Sequence, residues 1–216
     1  MGRLVSLLII PLLVSASDKH FKFPELKIPI QWSENINGDF SFTNQWSYPE
    51  GIYKNRFGQL SCDGICPPEI ESMFDENRKI IPDSLERFYQ YVDTSHNYHT
   101  IQSSAQVYEW AGTDFINFRK TNQSIIGNTS CNIATHSSLY IEIIGDSVSA
   151  WIEFNSITDI KPLTFPLSNG TITIDKALFN KGIIKAEFDF NFINTLESDF
   201  KIWWKGKIYC EVDSLK

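Results

Sequence analysis

The chain has 216 residues, and its 26 acidic and 19 basic side chains give a formal net charge of −7. A surface of this sign repels phosphate backbones, so the composition argues against a nucleic-acid partner. Hydrophobic residues make up 42% of the chain and aromatic residues 14%, which is enough apolar bulk for a folded core and excludes wholesale disorder.

The N-terminal segment has the pattern of a secretory signal peptide. Met1–Arg3 supply a short basic lead, Leu4–Val14 an almost purely apolar run, and Ser15–Ser17 a small-residue cleavage site. The apolar run is shorter than the roughly 20 residues that cross a bilayer as a helix, so a membrane span is not expected. We therefore expect a secreted or periplasmic protein, with residues 1–17 as the signal peptide and residues 18–216 as one globular domain.

An early strand is predicted where apolar and polar residues first alternate. Its apolar positions are Leu26, Ile28, Ile30 and Trp32. Pairing across Asn37–Gly38 would set Phe40 and Phe42 against polar residues, so we expect a longer or bulged connection there.

Two short helices are predicted in an insertion near residues 68–92. The first covers Pro68 to about Asn77, with Ile70, Met73 and Phe74 on its apolar stripe. The second begins at the capping box Asp83–Glu86.

A β-hairpin is the clearest prediction in the C-terminal half. Leu139–Ile144 and Val148–Phe154 alternate with period 2 around Gly145–Asp146, which suits a type II′ turn. This register places the apolar residues on one face and sets Tyr140 opposite Trp151 on the other. A one-residue slip would turn polar groups toward the core.

A second hairpin is predicted at Asn169–Gly170, a dipeptide typical of type I′ turns. In this register Leu167 faces Ile172. Because Pro166 has no backbone N–H, its strand is expected at a sheet edge.

Further strands are expected within Thr100–Ala111 and Asp114–Phe118. Two long amphipathic strands follow, with inward apolar positions from Ile184 to Phe192 and from Phe200 to Val212. The predicted fold class is α+β: a mainly antiparallel sheet, with a meander of hairpins in the C-terminal half and the two-helix insertion near residues 68–92.

An even number of cysteines in a chain routed to an oxidising compartment predicts disulfides. The cysteines are Cys62, Cys66, Cys131 and Cys210. The short spacing of Cys62 and Cys66 favours a local bridge, which leaves Cys131 to pair with Cys210. Because Cys210 lies on the inward face of the last strand, a buried disulfide suits it better than an exposed reactive thiol.

Metal ligation is the alternative for the first cysteine pair. Cys62 and Cys66 are followed by His96 and His99, a set that could close a tetrahedral zinc site. Cysteine pairs in secreted chains are usually oxidised, so we expect no metal and no cofactor.

Catalytic signatures are largely missing: the chain has no GxSxG, HExxH, GxxxxGK[ST] or GxGxxG motif. The densest group of candidate catalytic side chains comprises Asp93, His96, His99, Glu109 and Asp114. Carboxylates at Glu109 and Asp114, close to aromatic residues, would suit a glycosidase-like secreted hydrolase. In the alternative interpretation, Glu109 faces solvent and Asp114 turns a loop.

Aromatic side chains on the outward strand faces indicate a binding function. Tyr140 and Trp151 share one face, and Trp203 and Tyr209 share another with several lysines. Exposed rings on a sheet stack on sugars or anchor a protein partner, although helices could instead cover the sheet. We therefore interpret the protein as a binding protein for a glycan or a protein, with a secreted hydrolase and a structural cell-envelope component as alternatives.

Three Asn-x-Ser/Thr triplets begin at Asn122, Asn128 and Asn169. Such triplets accept N-linked glycans only in a eukaryotic secretory route, and they also arise easily by chance.

Overall fold

The structure, a computed structural model, describes the following parts of the chain: residues 26–45, 52–54, 60–62, 71–77, 79, 81–84, 98–131, 134–158 and 161–213. Twelve β-strands lie within them: β1 (Lys27–Pro29), β2 (Gln31–Ser33), β3 (Ile52–Lys54), β4 (Leu60–Cys62), β5 (Ile101–Gln106), β6 (Phe115–Lys120), β7 (Ile125–Ser130), β8 (Ser137–Ile144), β9 (Ser147–Phe154), β10 (Leu163–Asp175), β11 (Ile183–Phe192) and β12 (Ile202–Asp213). They are accompanied by two short 3₁₀ helices, Ser41–Asn44 and Pro82–Ser84, and by one helical turn, Lys176–Phe179. In this part of the chain no helix is long and apolar enough to cross a membrane.

Seven of the strands form a closed barrel. Around the ring, β9, β8, β7, β6, β12, β11 and β10 pair in that order, and β10 returns to β9. Only the pairing of β6 with β12 is parallel within this ring. The prediction of a mainly antiparallel sheet is therefore confirmed, whereas the α+β class gave helices too large a share.

The barrel interior is a packed core rather than a channel, because the inward positions of the long strands carry large apolar side chains. Residues that are almost completely buried include Phe118, Leu139, Ile141, Ile152, Phe165, Ile174, Phe190, Trp204 and Ile208. The predicted inward faces of β11 and β12 are confirmed by this core.

The early strand forms as two pieces that fill a gap in the barrel wall. β9 and β10 pair only between residues 151–154 and 163–166, and they diverge beyond. β1 pairs with β9 and β2 pairs with β10 at this opening. Ile30 lies between the two pieces and is buried, so the chain crosses from one wall to the other there.

The first predicted hairpin is confirmed, with its register. Ile143 pairs with Val148, and Tyr140 pairs with Trp151. Gly145 has a φ of 57°, whereas its neighbour Asp146 is not among the residues of positive φ, which is the pattern a type II′ turn requires.

The second predicted hairpin is wrong, because β10 continues without a turn through Asn169–Gly170. The strand changes partner instead: it pairs with β9 at its start and with β11 from Leu167 onward, with an irregularity before Asn169. A Cβ on Gly170 would lie 2.5 Å from the Asp189 carbonyl oxygen. Gly170 thus allows a close approach of two strands and does not form a turn.

The first predicted helix does not extend to Asn77: Glu71 is helical, and Pro68 to Ile70 lie outside the described residues. Residues 72–77 form turns and an isolated bridge. The Asp75 carboxylate accepts hydrogen bonds from the backbone N–H groups of Asn77 (2.8 Å) and Lys79 (2.9 Å), which replace helical bonds. Beyond Ser84, the second predicted helix lies outside the described residues.

Strand β7 was not predicted. Its sequence places Gly127 and polar residues where apolar ones would be expected. A Cβ on Gly127 would lie 2.6 Å from the Phe118 ring, so the large ring of β6 fills the space that a β7 side chain would otherwise occupy.

The predicted bridge between Cys131 and Cys210 is wrong: these two residues are not joined. β6 lies between β7, which precedes Cys131, and β12, which carries Cys210. Two strand spacings amount to about 10 Å, whereas a disulfide needs Cα atoms within about 7 Å. The Cys210 thiol instead donates to the Ile116 carbonyl oxygen at 3.1 Å.

The other cysteine predictions are the Cys62–Cys66 bridge and the zinc site with His96 and His99. Both depend on Cys66, and the zinc site also depends on His96; these two residues lie outside the described residues. Among the side chains that the structure does describe, no group of three or more His, Cys, Asp or Glu residues could hold a metal ion.

Candidate functional site

Four connections meet at one end of the barrel, which we call the loop end. They are the β5–β6 loop (107–114), the β7–β8 loop (131–136), the β9–β10 loop (155–162) and the β11–β12 loop (193–201). Neighbouring strands of the ring are antiparallel except β6 and β12, which both begin at this end, so these loops emerge on the same side. They are far apart in the sequence, so only barrel closure brings them together.

The β5–β6 loop crosses the loop end and is fastened by backbone hydrogen bonds. The Trp110 carbonyl oxygen accepts from the N–H groups of His136 and Ser137, both at 2.9 Å. The Gly112 N–H donates to the Ser137 carbonyl oxygen at 3.0 Å. This loop is therefore anchored on the first residues of β8.

Tyr108 closes the barrel at this end. Its ring packs against three aromatic rings at centroid distances of 4.9–5.8 Å: Phe154, Phe165 and Phe200. Its hydroxyl group donates to Glu197 at 3.3 Å and accepts from Asn194 at 2.9 Å. Tyr108 thereby ties the β11–β12 loop to the β5–β6 loop.

Glu109 holds two further loops through its carboxylate. Ser156 donates from its hydroxyl group at 2.7 Å, the Ile157 N–H donates at 3.2 Å, and His136 Nδ1 pairs with the same carboxylate. The Ser156 hydrogen bond is the main factor that lowers the pKa of Glu109, although partial desolvation opposes it. The Glu109 carboxylate is therefore ionised at neutral pH.

Glu109 also has a φ of 54°, and it is the one non-glycine residue of positive φ in the described part of the chain. The left-handed region costs a residue with a Cβ on the order of 1–2 kcal/mol. Strained conformations of this kind concentrate at functional sites, and the surrounding hydrogen bonds hold Glu109 in place.

The loop end exposes large apolar side chains. Trp110 is 56% exposed, Ile157 78%, Ile193 49% and Leu196 51%. The other exposed large apolar side chains of the described residues belong to none of these four loops: Leu26, Ile81 and Tyr98. Four of these seven side chains thus belong to one end of the barrel.

The predicted catalytic residues that the structure describes make different contacts. The Glu109 carboxylate binds Ser156, Ile157 and His136, as described above. The Asp114 carboxylate instead accepts a hydrogen bond from the Thr113 hydroxyl group at 3.3 Å. The His99 ring packs edge-on against Phe115 at 5.6 Å. Asp93 and His96 lie outside the described residues.

Tyr140 and Trp151 form a stacked cross-strand pair on the outer wall. Their ring centroids are 5.2 Å apart with an interplanar angle of 10°, and both residues are half-buried. Burial, with Glu153 nearby, raises the pKa of Tyr140. Because each ring covers one face of the other, the pair offers a ligand less ring surface than two separate aromatic residues would.

Trp203 and Tyr209 are half-buried and belong to different surroundings. The Trp203 indole donates to Gln106 at 3.1 Å, and the Lys205 ammonium lies 5.0 Å from the Trp203 ring centroid. Tyr209 meets Phe40 edge-on at 6.4 Å. Six positions along a strand correspond to about 20 Å, so the two rings do not form one platform.

His136, Ser156 and Ile157 were not predicted as site residues. Each lies in a loop without a local motif, and they converge on Glu109 only after the barrel closes. Comparisons with protein-family models, with curated proteins and with solved structures found no match.

Proposed function

We propose that this chain is an extracytoplasmic binding protein that recognises another protein through the loop end of its barrel. The observation that carries the proposal is the concentration of exposed apolar side chains there, four of the seven in the described residues. Exposed apolar groups of this kind, surrounded by polar residues, mark interaction surfaces. Extracytoplasmic location is part of the proposal and rests on the signal-peptide pattern.

The loop end is held in shape before any partner arrives. Tyr108 and Glu109 link the β5–β6 loop to the other three connections through hydrogen bonds and ring contacts. A preorganised surface loses less conformational entropy on binding, so its apolar groups contribute more to affinity. Trp110 and Ile157 lie next to these links, and we propose that they are the side chains that anchor the partner on this surface.

Charge indicates the chemistry of the partner. The exposed charged residues of the loop end include Glu109, Glu197 and Asp199 against Lys161 and Lys201. The whole chain is also acidic, with a net charge of −7. Complementary charges guide association, so we propose a partner surface with an apolar centre and a basic rim.

A displayed peptide library tests this proposal directly. Peptides selected on the full chain should be rich in apolar and basic residues, and Trp110→Ala or Ile157→Ser should weaken their Kd at least tenfold. Tyr98→Ala and Leu26→Ser remove exposed apolar groups outside the loop end and serve as matched controls, with expected changes below twofold. Higher salt should weaken the binding because the rim is charged.

Two results would contradict the proposal. Selected peptides that bind the loop-end variants and the controls equally would place recognition elsewhere. If instead a panel of neutral oligosaccharides binds, loses affinity in Trp110→Ala, and no peptide is selected, the loop end recognises glycans.

A hydrolase is the second candidate, because Glu109 pairs with His136 Nδ1 and leaves Nε2 as the remaining basic atom of the ring. An ionised Glu109 suits the orientation of a histidine base and does not suit the proton donor of a glycosidase, which needs a raised pKa. Chromogenic esters and glycosides provide the assay. Turnover that Glu109→Gln and His136→Ala both abolish would support hydrolysis.

A further inference from the structure

The three Asn-x-Ser/Thr triplets lie in different structural settings. Asn122 is at a turn between β6 and β7, Asn128 is in the middle of β7, and Asn169 is in the middle of β10. The sequence alone treats them alike, whereas the structure distinguishes which of them has room for a glycan.

Asn122 lies at the tip of a tight turn. The Thr121 N–H donates to the Ser124 carbonyl oxygen at 2.8 Å, and the Thr121 hydroxyl oxygen accepts from the N–H groups of Gln123 and Ser124. Asn122 is exposed, and its side-chain amide has no hydrogen-bond partner among the described residues. An amide in this position is free to react and to project a bulky group into solvent.

The surroundings of Asn122 also have space. An open groove of about 580 Å³ lies beside it, lined among others by Lys27, Ile126 and Glu142. The groove offers both polar groups and apolar surface to the first sugars of an attached chain. A glycan at Asn122 would therefore displace no packed side chain.

Asn128 and Asn169 are less suitable. Asn128 is half-buried on the barrel wall, with Asn117 beside it on β6 and Tyr140 beside it on β8. The Asn169 amide donates to Ser168 at 3.3 Å and accepts from the Asn191 amide at 3.0 Å. A glycan at either position would have to fit beside a neighbouring strand in the formed sheet.

We propose that Asn122 carries an N-linked glycan when the chain passes through a eukaryotic secretory route; the signal-peptide pattern predicts export of the chain. The donor is an oligosaccharide linked to a lipid diphosphate. Asn122 Nδ2 forms a bond to the anomeric carbon, the bond from that carbon to the phosphate oxygen breaks, and the lipid diphosphate leaves with the electron pair. The amide proton passes to a base of the host transferase.

The test is expression of the full chain in a eukaryotic host, once with its own residues 1–17 and once with a host signal peptide in their place. Lumenal and secreted material are both treated with an N-glycosidase in ¹⁸O water, which converts a glycosylated asparagine to labelled aspartate. Peptide mass spectrometry should find the label at Asn122. Asn122→Gln and Ser124→Ala should abolish the glycan, and Ser124→Thr should retain it.

Asn128→Gln and Asn169→Gln are the matched controls and should leave the glycan in place. Unchanged thermal melting of Asn122→Gln would show that its lost glycan does not reflect misfolding. Label at Asn128 or Asn169 in place of Asn122, or an unglycosylated chain behind the host signal peptide, would overturn the proposal. Glycosylation only behind the host signal peptide would support the acceptor site and contradict the predicted leader.

Discussion

At the scale of single residues, Glu109 combines a strained backbone with a carboxylate that holds two loops. Its φ of 54° requires compensation, and the hydrogen bonds from Ser156 and Ile157 together with the contact to His136 provide it. Glu109 therefore holds the backbone of the β5–β6 loop next to Trp110, the neighbouring exposed aromatic side chain.

Backbone strain at Glu109 can be measured by two substitutions. Glu109→Gly and Glu109→Ala both lose the carboxylate, but only glycine adopts positive φ without cost. We expect the glycine variant to be more stable by about 1 kcal/mol in urea unfolding. An alanine variant of equal or greater stability would show that position 109 is not held in the left-handed region.

The Glu109 carboxylate should also make stability depend on pH. Its pKa in the folded state lies below the ordinary value of 4.5, so its contribution is complete above that pH and is lost as the pH falls through the lowered folded value. The wild-type protein should therefore have a higher melting temperature than Glu109→Gln at pH 7, and the difference between the two melting temperatures should narrow below about pH 4.5. Ser156→Ala removes the main cause of the lowered pKa of Glu109, so in that background the difference in melting temperature should narrow at a higher pH. A difference in melting temperature that does not change with pH would contradict the assignment.

At the scale of secondary-structure elements, alternation was informative wherever a strand has one apolar face. The β8–β9 hairpin and the inward faces of β11 and β12 were predictable because period-2 patterns and a Gly-Asp turn agree locally. β7 was missed because Gly127 makes room for Phe118, a contact between strands that a local pattern does not contain.

The hairpin register predicts unequal tolerance at adjacent positions. Ile141 is fully buried, so Ile141→Asp would bury a charge and should cost more than about 3 kcal/mol. Glu142 is half-buried on the outer wall, and Glu142→Lys should change the stability by less than about 1 kcal/mol. Urea unfolding of both variants tests this prediction. Equal losses of stability at the two positions would contradict the register.

The continuous course of β10 predicts a steric effect at Gly170. Alanine there would place a Cβ 2.5 Å from the Asp189 carbonyl oxygen, so Gly170→Ala should destabilise the protein by about 1–3 kcal/mol. Thr171→Ala, at the neighbouring exposed position, is the control and should cost less. A Gly170→Ala variant as stable as Thr171→Ala would contradict this clash.

At the scale of the whole molecule, closure of the barrel decides which distant segments meet. β6 separates Cys131 from Cys210, so the two thiols are not joined, and the same closure gathers the four connections of the loop end. Burial raises the pKa of the Cys210 thiol to about 11, which suppresses its reactive thiolate form.

Alkylation should report the state of Cys210. In the folded protein, Cys210 should react with iodoacetamide far more slowly than after denaturation, since its side chain is buried and protonated at neutral pH. Peptide mass spectrometry of protein denatured without reductant should find Cys210 alkylated. A disulfide-linked peptide that joins Cys131 to Cys210 would contradict the strand order.

The sequence by itself determined the local features: the β8–β9 register and the inward face of β12. These features depend on residue periodicity and turn chemistry within a few positions. Tertiary structure alone decided that β10 passes through Asn169–Gly170, that Cys131 and Cys210 stay apart, and that Glu109 meets His136 and Ser156. The reason is physical: each of these outcomes depends on which strand becomes the neighbour when the sheet closes, and that choice is a property of the whole barrel.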